Sequence, residues 1–140
     1  MIAYFDTSAL VKLFMRDEEG ARTAEEVWDA SDVVVTSRIA YPEGRAALAS
    51  AHRARRLTIR SLERARETLD AMFRQLALVE LDGSVAELAG DVAERFALRA
   101  YDAVHLASAL AVGDSDVVLL TWDERLAAAG RRAELDVVPG

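Results

Sequence analysis

Four acidic residues stand out because each lies where a hydrophobic stretch gives way to a helical pattern. Asp6 directly follows the apolar run IAYF, and Asp123 lies three residues after the apolar run VVLL. Glu43 and Asp102 lie at the starts of helical patterns, in AYPEG and RAYDAVHLA. Most of the other acids lie in charged runs such as DEE and EE, which are typical of solvated helix faces. The four acids are therefore the candidates for chemistry.

Four carboxylates in one partly dry pocket would repel each other strongly, and a cation among them would remove the repulsion. An all-oxygen ligand set suits hard ions such as Mg²⁺, with Mn²⁺ as a second choice. Such ions can activate a water and stabilise the leaving oxygen when a phosphodiester is hydrolysed. The sequence contains no cysteine, which excludes thiolate ligands and nucleophiles.

Each acid also has a purely structural interpretation. Aspartate is a preferred N-cap residue, so Asp6 and Asp102 could simply cap helices. The segment TWDE fits a capping box with Thr121 as the cap, which would leave Asp123 in the first helical turn. The helix dipole favours carboxylates in that turn, and the same argument applies to Glu43. Four acids at one edge of a sheet nevertheless favour a shared site over four separate caps.

Periodicity predicts the elements that must position these acids. The expected strands are Ile2–Phe5, Val33–Thr36, Leu78–Leu81, Val117–Leu120 and Asp136–Val138. The expected helices are 8–15, 23–30, 41–53, 58–75, 84–98, 102–112 and 122–129. Residues 23–26 and 84–87 fit capping boxes at the starts of two of them. Pro42 is compatible with the first turn of the third helix. Alternation of short strands with helices predicts one α/β domain over residues 1–140, with a small, mainly parallel sheet covered by helices on both faces. Sites in such sheets form at the carboxyl ends of the strands, where Asp6 and Asp123 are expected.

The composition of the chain limits the cellular location and the binding partners that can be expected. The 140 residues carry a net charge of −7, which argues against a protein that simply coats nucleic acid. Without an apolar run of spanning length or a signal-peptide pattern, we expect no membrane contact and a cytoplasmic location. Positive charge is concentrated in seven arginines between Arg45 and Arg66. This stretch suits phosphate binding, although a GC-rich genome would also favour arginine over lysine.

The acidic segments together resemble a known family. Asp6-Thr-Ser at the end of the first strand, Glu43, the segment RAYDAVHLA around Asp102, and TWDERL around Asp123 are similar to the PIN-domain nucleases. The similarity is closest to the VapC-type toxins of bacterial toxin–antitoxin modules. It extends over nearly the whole chain in order, spacing and length, and the segment around Asp102 is its most specific part.

The resemblance implies a PIN-like three-layer sandwich and a metal-dependent endoribonuclease that leaves 5′-phosphate ends. It assigns Asp6 and Asp102 as principal Mg²⁺ ligands, with Glu43 and Asp123 completing the pocket directly or through waters. It further implies that Ser8 or Thr7 holds Asp6 or a ligand water, and that Thr121 orients Asp123. Expected partners are RNA, a cognate antitoxin whose tail enters the active-site groove, and a second copy in a homodimer. Pro42 directly before Glu43 departs slightly from the family pattern.

Three other interpretations can be weighed against the sequence. A phospho-acceptor receiver domain needs paired acids after its first strand and a lysine after its last; here Phe5 precedes Asp6 and the only lysine is Lys12, so this interpretation fails. A non-catalytic PIN-like interaction module is disfavoured because all four acids are present. A housekeeping RNA-processing nuclease of the same fold stays open, although a compact stand-alone domain favours a toxin. His105, one turn after Asp102, is more typical of an orienting or packing group than of a ligand.

Overall fold

The computed structural model describes residues 1–15, 19–113 and 116–140. Its strands are β1 (Ile2–Phe5), β2 (Val33–Ser37), β3 (Ala77–Val79), β4 (Val117–Leu120) and β5 (Asp136–Val138). Its helices are α1 (Thr7–Phe14), α2 (Ala21–Ala30), α3 (Ala40–Arg53), α4 (Ile59–Gln75), α5 (Gly83–Phe96), α6 (Ala100–Ala111) and α7 (Glu124–Arg132). Within the described ranges, no helix is long and apolar enough to cross a membrane.

The five strands form one sheet in the order β3-β2-β1-β4-β5, and every neighbouring pair is parallel. The predicted α/β class is therefore confirmed. β1 lies at the centre, with Tyr4 opposite Val35 on one side and Leu119 on the other. The chain leaves β1 towards β2 and leaves β4 towards β5, so its direction across the sheet reverses between β1 and β4. Ligands bind at such a switch point in open α/β sheets.

Two hydrophobic clusters cover the two faces of the sheet, as the alternation of side chains along a strand requires. Ala3 and Phe5 of β1 pack into a cluster with the buried residues of α1 and α4, such as Leu10 and Leu69. The intervening Tyr4 packs into the opposite cluster, which α5, α6 and α7 complete. The central strand is thus buried on both sides, and the residue that follows it, Asp6, is carried into a region with little water.

The starts of three helices differ from their predicted caps. Gly20, with φ of 95°, precedes α2 and makes no side-chain capping bond, so Thr23 lies inside that helix. Asp82 caps α5 by accepting a hydrogen bond from the Val85 amide, in place of Ser84. Asp123 caps α7, which begins two residues later than predicted. In each case the sequence contained a suitable capping residue, but the helix begins at a different residue within three positions of it.

The predicted strand Leu78–Leu81 lies one to two residues earlier, at Ala77–Val79. It pairs only with the last three residues of β2. A three-residue edge strand contributes few apolar positions, so its periodicity locates it poorly. The remaining strands agree with prediction within one residue.

The packing of α7 on the sheet can be tested with one glycine substitution in α7 and a control substitution in α5. A Cβ at Gly130 would lie 2.7 Å from Leu119 Cδ2 and 3.1 Å from Val137 Cγ2, whereas a Cβ at Gly90 meets no atom within 4 Å. We expect Gly130→Ala to lower the free energy of unfolding by about 1–3 kcal/mol, because Leu119 is fully buried and cannot move aside freely. Gly90→Ala, in the exposed part of α5, should raise it by about 0.5–1 kcal/mol. Urea unfolding of both variants tests the difference; stabilisation by both substitutions would contradict the tight packing.

Candidate active site

Asp6 is held at the end of β1 by hydrogen bonds to both of its carboxylate oxygens. Its Oδ1 accepts from the Ala9 amide at 2.9 Å and from the Ser8 hydroxyl at 2.7 Å, and its Oδ2 accepts from the Thr121 hydroxyl. The side chain is only 4% exposed. The bond from Ala9 makes Asp6 the N-cap of α1, so it has the structural role that the sequence also allowed. One lone pair on Oδ2 is still available, since a carboxylate offers about four acceptor positions.

Thr121 connects Asp6 to Asp123 at the point where the adjacent strands β1 and β4 end. Its hydroxyl donates to Asp6 Oδ2 and accepts from the Asp123 amide at 3.0 Å. Asp123 in turn accepts from the Leu126 amide through Oδ1, at 2.8 Å. Thr121 therefore does not cap α7 with its side chain. It holds two candidate ligands in a fixed relation, and Asp123 Oδ2 is left without a hydrogen bond from any described residue.

Ser8 ties the same two loops together from the α1 side. Its hydroxyl donates to Asp6 and accepts from the Trp122 amide at 2.9 Å. The Asp6 amide also donates to the Leu120 carbonyl at 3.2 Å, which extends the β1–β4 pairing to the end of the strands. These bonds fix the position of Asp6 by both backbone and side chain.

Asp102 lies in the first turn of α6, but it is not the cap of that helix. The N-cap is Arg99, which makes no side-chain capping bond. No described residue donates a hydrogen bond to the Asp102 carboxylate. The side chain instead lines an open cleft of about 430 Å³ together with Arg99, Trp122, Asp123, Glu124 and Arg125. Its two oxygens are free to take a ligand.

Glu43 lies in the first turn of α3 and is joined to the site through Thr7. The Thr7 hydroxyl donates to Glu43 Oε1 at 2.8 Å. His105 Nε2 approaches the same oxygen at 2.7 Å, and Oε2 has no partner among the described residues. Burial alone would raise the pKa of Glu43, but the hydrogen bonds and charge of His105 and the bond from Thr7 outweigh it and lower the pKa. Glu43 is therefore a carboxylate with one oxygen fixed and the other free.

His105 is the centre of a buried chain of polar contacts. The ring is 3% exposed, and its Nδ1 lies 2.7 Å from the hydroxyl of fully buried Tyr4. Because the Glu43 carboxylate can only accept, Nε2 carries a hydrogen; in the neutral ring, Nδ1 then accepts from Tyr4. The geometry fits an orienting role, one of the two roles, orienting or packing, that the sequence favours for His105. Its connection to Tyr4, 101 residues away, carries no local signal in the sequence.

Burial raises the pKa of two of the four acids, and the charges of the other acids act on one of them. Burial raises the pKa of Asp6, against the lowering effects of His105 and of the hydrogen bonds it accepts. Burial also raises the pKa of Asp102, and the neighbouring charge of Asp123 raises it further. Weaker contributions to Asp102 come from the charges of Asp6 and Glu43. The pKa of Asp102 thus responds to the charges of all three of the other predicted acids.

The oxygens left over suit a hard cation. They are oxygens of Asp102, Asp123 and Glu43, together with one free acceptor position on Asp6 Oδ2. This set contains only carboxylate oxygens, which Mg²⁺ and Mn²⁺ prefer as ligands. Among residues 1–15, 19–113 and 116–140, no three His, Asp or Glu side chains are already arranged to hold a single ion. The donor set fits such an ion in its chemistry, and waters would have to complete the coordination, as they commonly do for Mg²⁺.

Comparison with known proteins identifies the family. The PIN domain family matches residues 3–132. Ribonuclease VapC45 of Mycobacterium tuberculosis is 45% identical over 138 residues, covering 99% of this chain and 95% of that protein. The structure also resembles Mycobacterium tuberculosis VapC20, described as a sarcin–ricin loop cleaving toxin (TM-score 0.69, 21% identity, covering 91% of this chain and 95% of that one). A toxin–antitoxin complex from Klebsiella pneumoniae is similar too (TM-score 0.63, 20% identity, 86% of each chain).

The two solved structures are too distant in sequence to support more than the fold. The match to the family and the identity to a named VapC ribonuclease each extend over nearly the whole chain. The protein therefore belongs to the PIN-domain family, in its group of VapC-type ribonuclease toxins.

Proposed function

We propose that this protein is a Mg²⁺-dependent endoribonuclease that hydrolyses RNA phosphodiester bonds through Asp6, Glu43, Asp102 and Asp123. The observation that supports the proposal is the placement of Asp6 and Asp123 just after β1 and β4, with Glu43 and Asp102 in the first turns of α3 and α6, because each keeps an oxygen position free. The VapC ribonucleases that resemble the chain support the choice of RNA as substrate. Mn²⁺ is the expected substitute for Mg²⁺.

Each residue has a specific task in this proposal. Asp6 and Asp102 are the principal metal ligands, and Asp123 and Glu43 complete the acidic pocket directly or through waters. Thr121 and Ser8 prevent Asp6 from rotating, and Thr7 and His105 do the same for Glu43. When bound, the ion supplies an activated water and neutralises charge on the phosphate. The cleft beside Asp102 and Asp123 provides the open side from which RNA approaches.

The ends of the RNA products test this proposal. When an activated water attacks the phosphorus and the 3′ oxygen leaves, the products carry a 5′-phosphate and a 3′-hydroxyl. When the RNA's own 2′-hydroxyl attacks, the 5′ oxygen leaves, and the products carry a 2′,3′-cyclic phosphate and a 5′-hydroxyl. We expect purified protein with Mg²⁺ to give 5′-phosphate fragments from single-stranded RNA, identified by mass spectrometry. Cyclic-phosphate ends would contradict metal-assisted hydrolysis, and intact RNA after prolonged incubation would contradict the nuclease function itself.

We further propose that the nuclease acts as the toxin of a toxin–antitoxin pair and assembles as a homodimer. A protein antitoxin would then cover the acidic cleft and keep the enzyme inactive. We expect expression of the wild-type chain to arrest bacterial growth, and the Asp6→Asn variant at equal protein level to permit growth. Normal growth with abundant wild-type protein would favour a housekeeping RNA-processing enzyme instead.

A further inference from the structure

The chain is acidic overall, but one helical hairpin carries a strong positive charge. Between residues 45 and 66, seven arginines face a single glutamate, a net of +6 in a protein whose net charge is −7. All seven arginine side chains are exposed. We call residues 45–66 the arginine hairpin; its arginines are Arg45, Arg53, Arg55, Arg56, Arg60, Arg64 and Arg66.

The charge of this hairpin is not neutralised internally. Arg45 stacks over the Tyr41 ring at 5.7 Å and donates to its hydroxyl, which in turn donates to Asp70. The other six arginines form no ion pair or hydrogen bond with any described residue through their side chains. Among the described arginines outside the hairpin, Arg22 and Arg38 form ion pairs, with Glu26 and Glu80. Six unpaired guanidinium groups on one hairpin fit an anionic partner rather than fold stability.

The hairpin reaches past the sheet on the side of the acidic site. α3 starts just beyond the end of β2, and its fourth residue is Glu43. α4 is about 25 Å long at 17 residues and leads into β3, which pairs only with the last three residues of β2. The first turns of α4 therefore extend beyond the carboxyl ends of the strands. Arg53, at the end of α3, lies about 15 Å along the helix from Glu43.

The chemistry of the hairpin favours contacts to phosphates over contacts to bases. Residues 45–66 include no Phe, Tyr or Trp on which bases could stack. Arginine forks bind phosphate oxygens in two-pronged geometry. Arg45 and Arg66 also line opposite sides of a cleft of about 360 Å³ between α3 and α4. A flexible polyanion could follow this surface without sequence preference.

We propose that the arginine hairpin binds the phosphate backbone of the RNA strand and leads it to the acidic site. The inference rests on the proposed function, because RNA is the polyanion that this site would cleave. The hairpin would supply most of the affinity for RNA, while cleavage would take place at the acidic site. The positive charge of the arginine hairpin would offset the repulsion between the acidic site and the phosphates. A protein of net charge −7 could then bind a polyanion.

Binding of a labelled RNA in the absence of metal tests the proposal independently of cleavage. The probe is a fluorescein-labelled single-stranded RNA of about 20 nucleotides, measured by anisotropy in EDTA over a range of NaCl concentrations. The hairpin variant combines Arg53→Gln, Arg56→Gln, Arg60→Gln and Arg64→Gln. The matched control combines Arg22→Gln, Arg74→Gln, Arg95→Gln and Arg132→Gln, which removes the same charge from other exposed surfaces. Thermal unfolding confirms that both variants fold.

We expect the hairpin variant to bind at least about tenfold more weakly, and the slope of log K against log[NaCl] to fall by about 0.7 for each phosphate that the protein no longer neutralises. The control should change the affinity and the slope little. Equal weakening in both variants would overturn the proposal, because net charge alone would then explain binding. Unchanged RNA affinity in the hairpin variant would also overturn it, and weaker binding of poly-L-glutamate by that variant would then indicate an acidic protein partner. Failure of the wild type to cleave RNA in Mg²⁺ would count against the nuclease function while leaving this binding result intact.

Discussion

Replacing Asp6 by asparagine should reduce RNA cleavage by about 100-fold or more while leaving the fold intact. Asparagine has the same shape and is an equally good N-cap, so the bond from the Ala9 amide can persist. The negative charge is lost, and the amide nitrogen that replaces one carboxylate oxygen is not a ligand for Mg²⁺. The substitution therefore separates the capping role of Asp6 from its proposed role as a ligand.

Two measurements make the Asp6→Asn result decisive. Initial rates of cleavage in Mg²⁺ give the loss of activity, and thermal unfolding in EDTA shows whether the fold survives. Wild-type protein should gain thermal stability when Mn²⁺ is added, and the variant should gain much less, because an ion that binds only the folded state stabilises it. A variant that still cleaves RNA at a rate near that of the wild type would remove Asp6 from the site.

Replacing His105 by leucine should damage both stability and activity. The substitution leaves the fully buried Tyr4 hydroxyl without its ring partner and removes a donor from Glu43. Unsatisfied buried groups of this kind cost about 1–3 kcal/mol each, so we expect a loss of about 3 kcal/mol in the free energy of unfolding. With Glu43 no longer held, cleavage should fall by about 10- to 100-fold, as when the partner of a metal ligand is removed.

Tyr4→Phe is the matched control for His105. It removes only the hydrogen bond at Nδ1 and keeps the ring contact with His105, whose centroid lies 5.9 Å away. We expect a cost of about 1 kcal/mol and a smaller loss of activity, because His105 Nε2 still holds Glu43. If His105→Leu lowered stability but left the cleavage rate per folded molecule unchanged, His105 would be a packing residue and not a positioning one.

Much of the fold could be predicted because the strands that matter are short, apolar and well separated. IAYF and VVLL are buried on both faces, and both were located to the residue. The N-caps of α2, α5 and α7 were less predictable. Near each predicted cap (Thr23, Ser84 and Thr121) lies another residue that can occupy the N-cap position, and that residue does so. For Thr121, the deciding interaction was a bond to Asp6, 115 residues away. Local patterns do not contain such a contact.

The candidate site shows the same division. Asp6 and Asp123 could be predicted to lie at the same edge of the sheet because each follows a strand at its carboxyl end. That their two strands are neighbours could not be predicted. The hydrogen-bond chain from Tyr4 through His105 to Glu43 could not be predicted, because it joins three elements that are far apart in sequence. Asp6 was also predicted to be either a cap or a ligand, and its geometry permits both, since capping uses only one of its oxygens.

The most direct test of the account is the dependence of RNA cleavage on metal and on Asp102. Labelled RNA is incubated with wild type, Asp102→Asn and Glu124→Gln, in EDTA and after Mg²⁺ is restored. Glu124 lines the same cleft, is exposed and has no proposed role as a ligand, so it controls for loss of one negative charge. We predict cleavage by wild type and Glu124→Gln only when Mg²⁺ is present, and none by Asp102→Asn. Cleavage by the wild type that persists in EDTA, or that Asp102→Asn retains, would contradict a carboxylate-bound ion as the agent of catalysis.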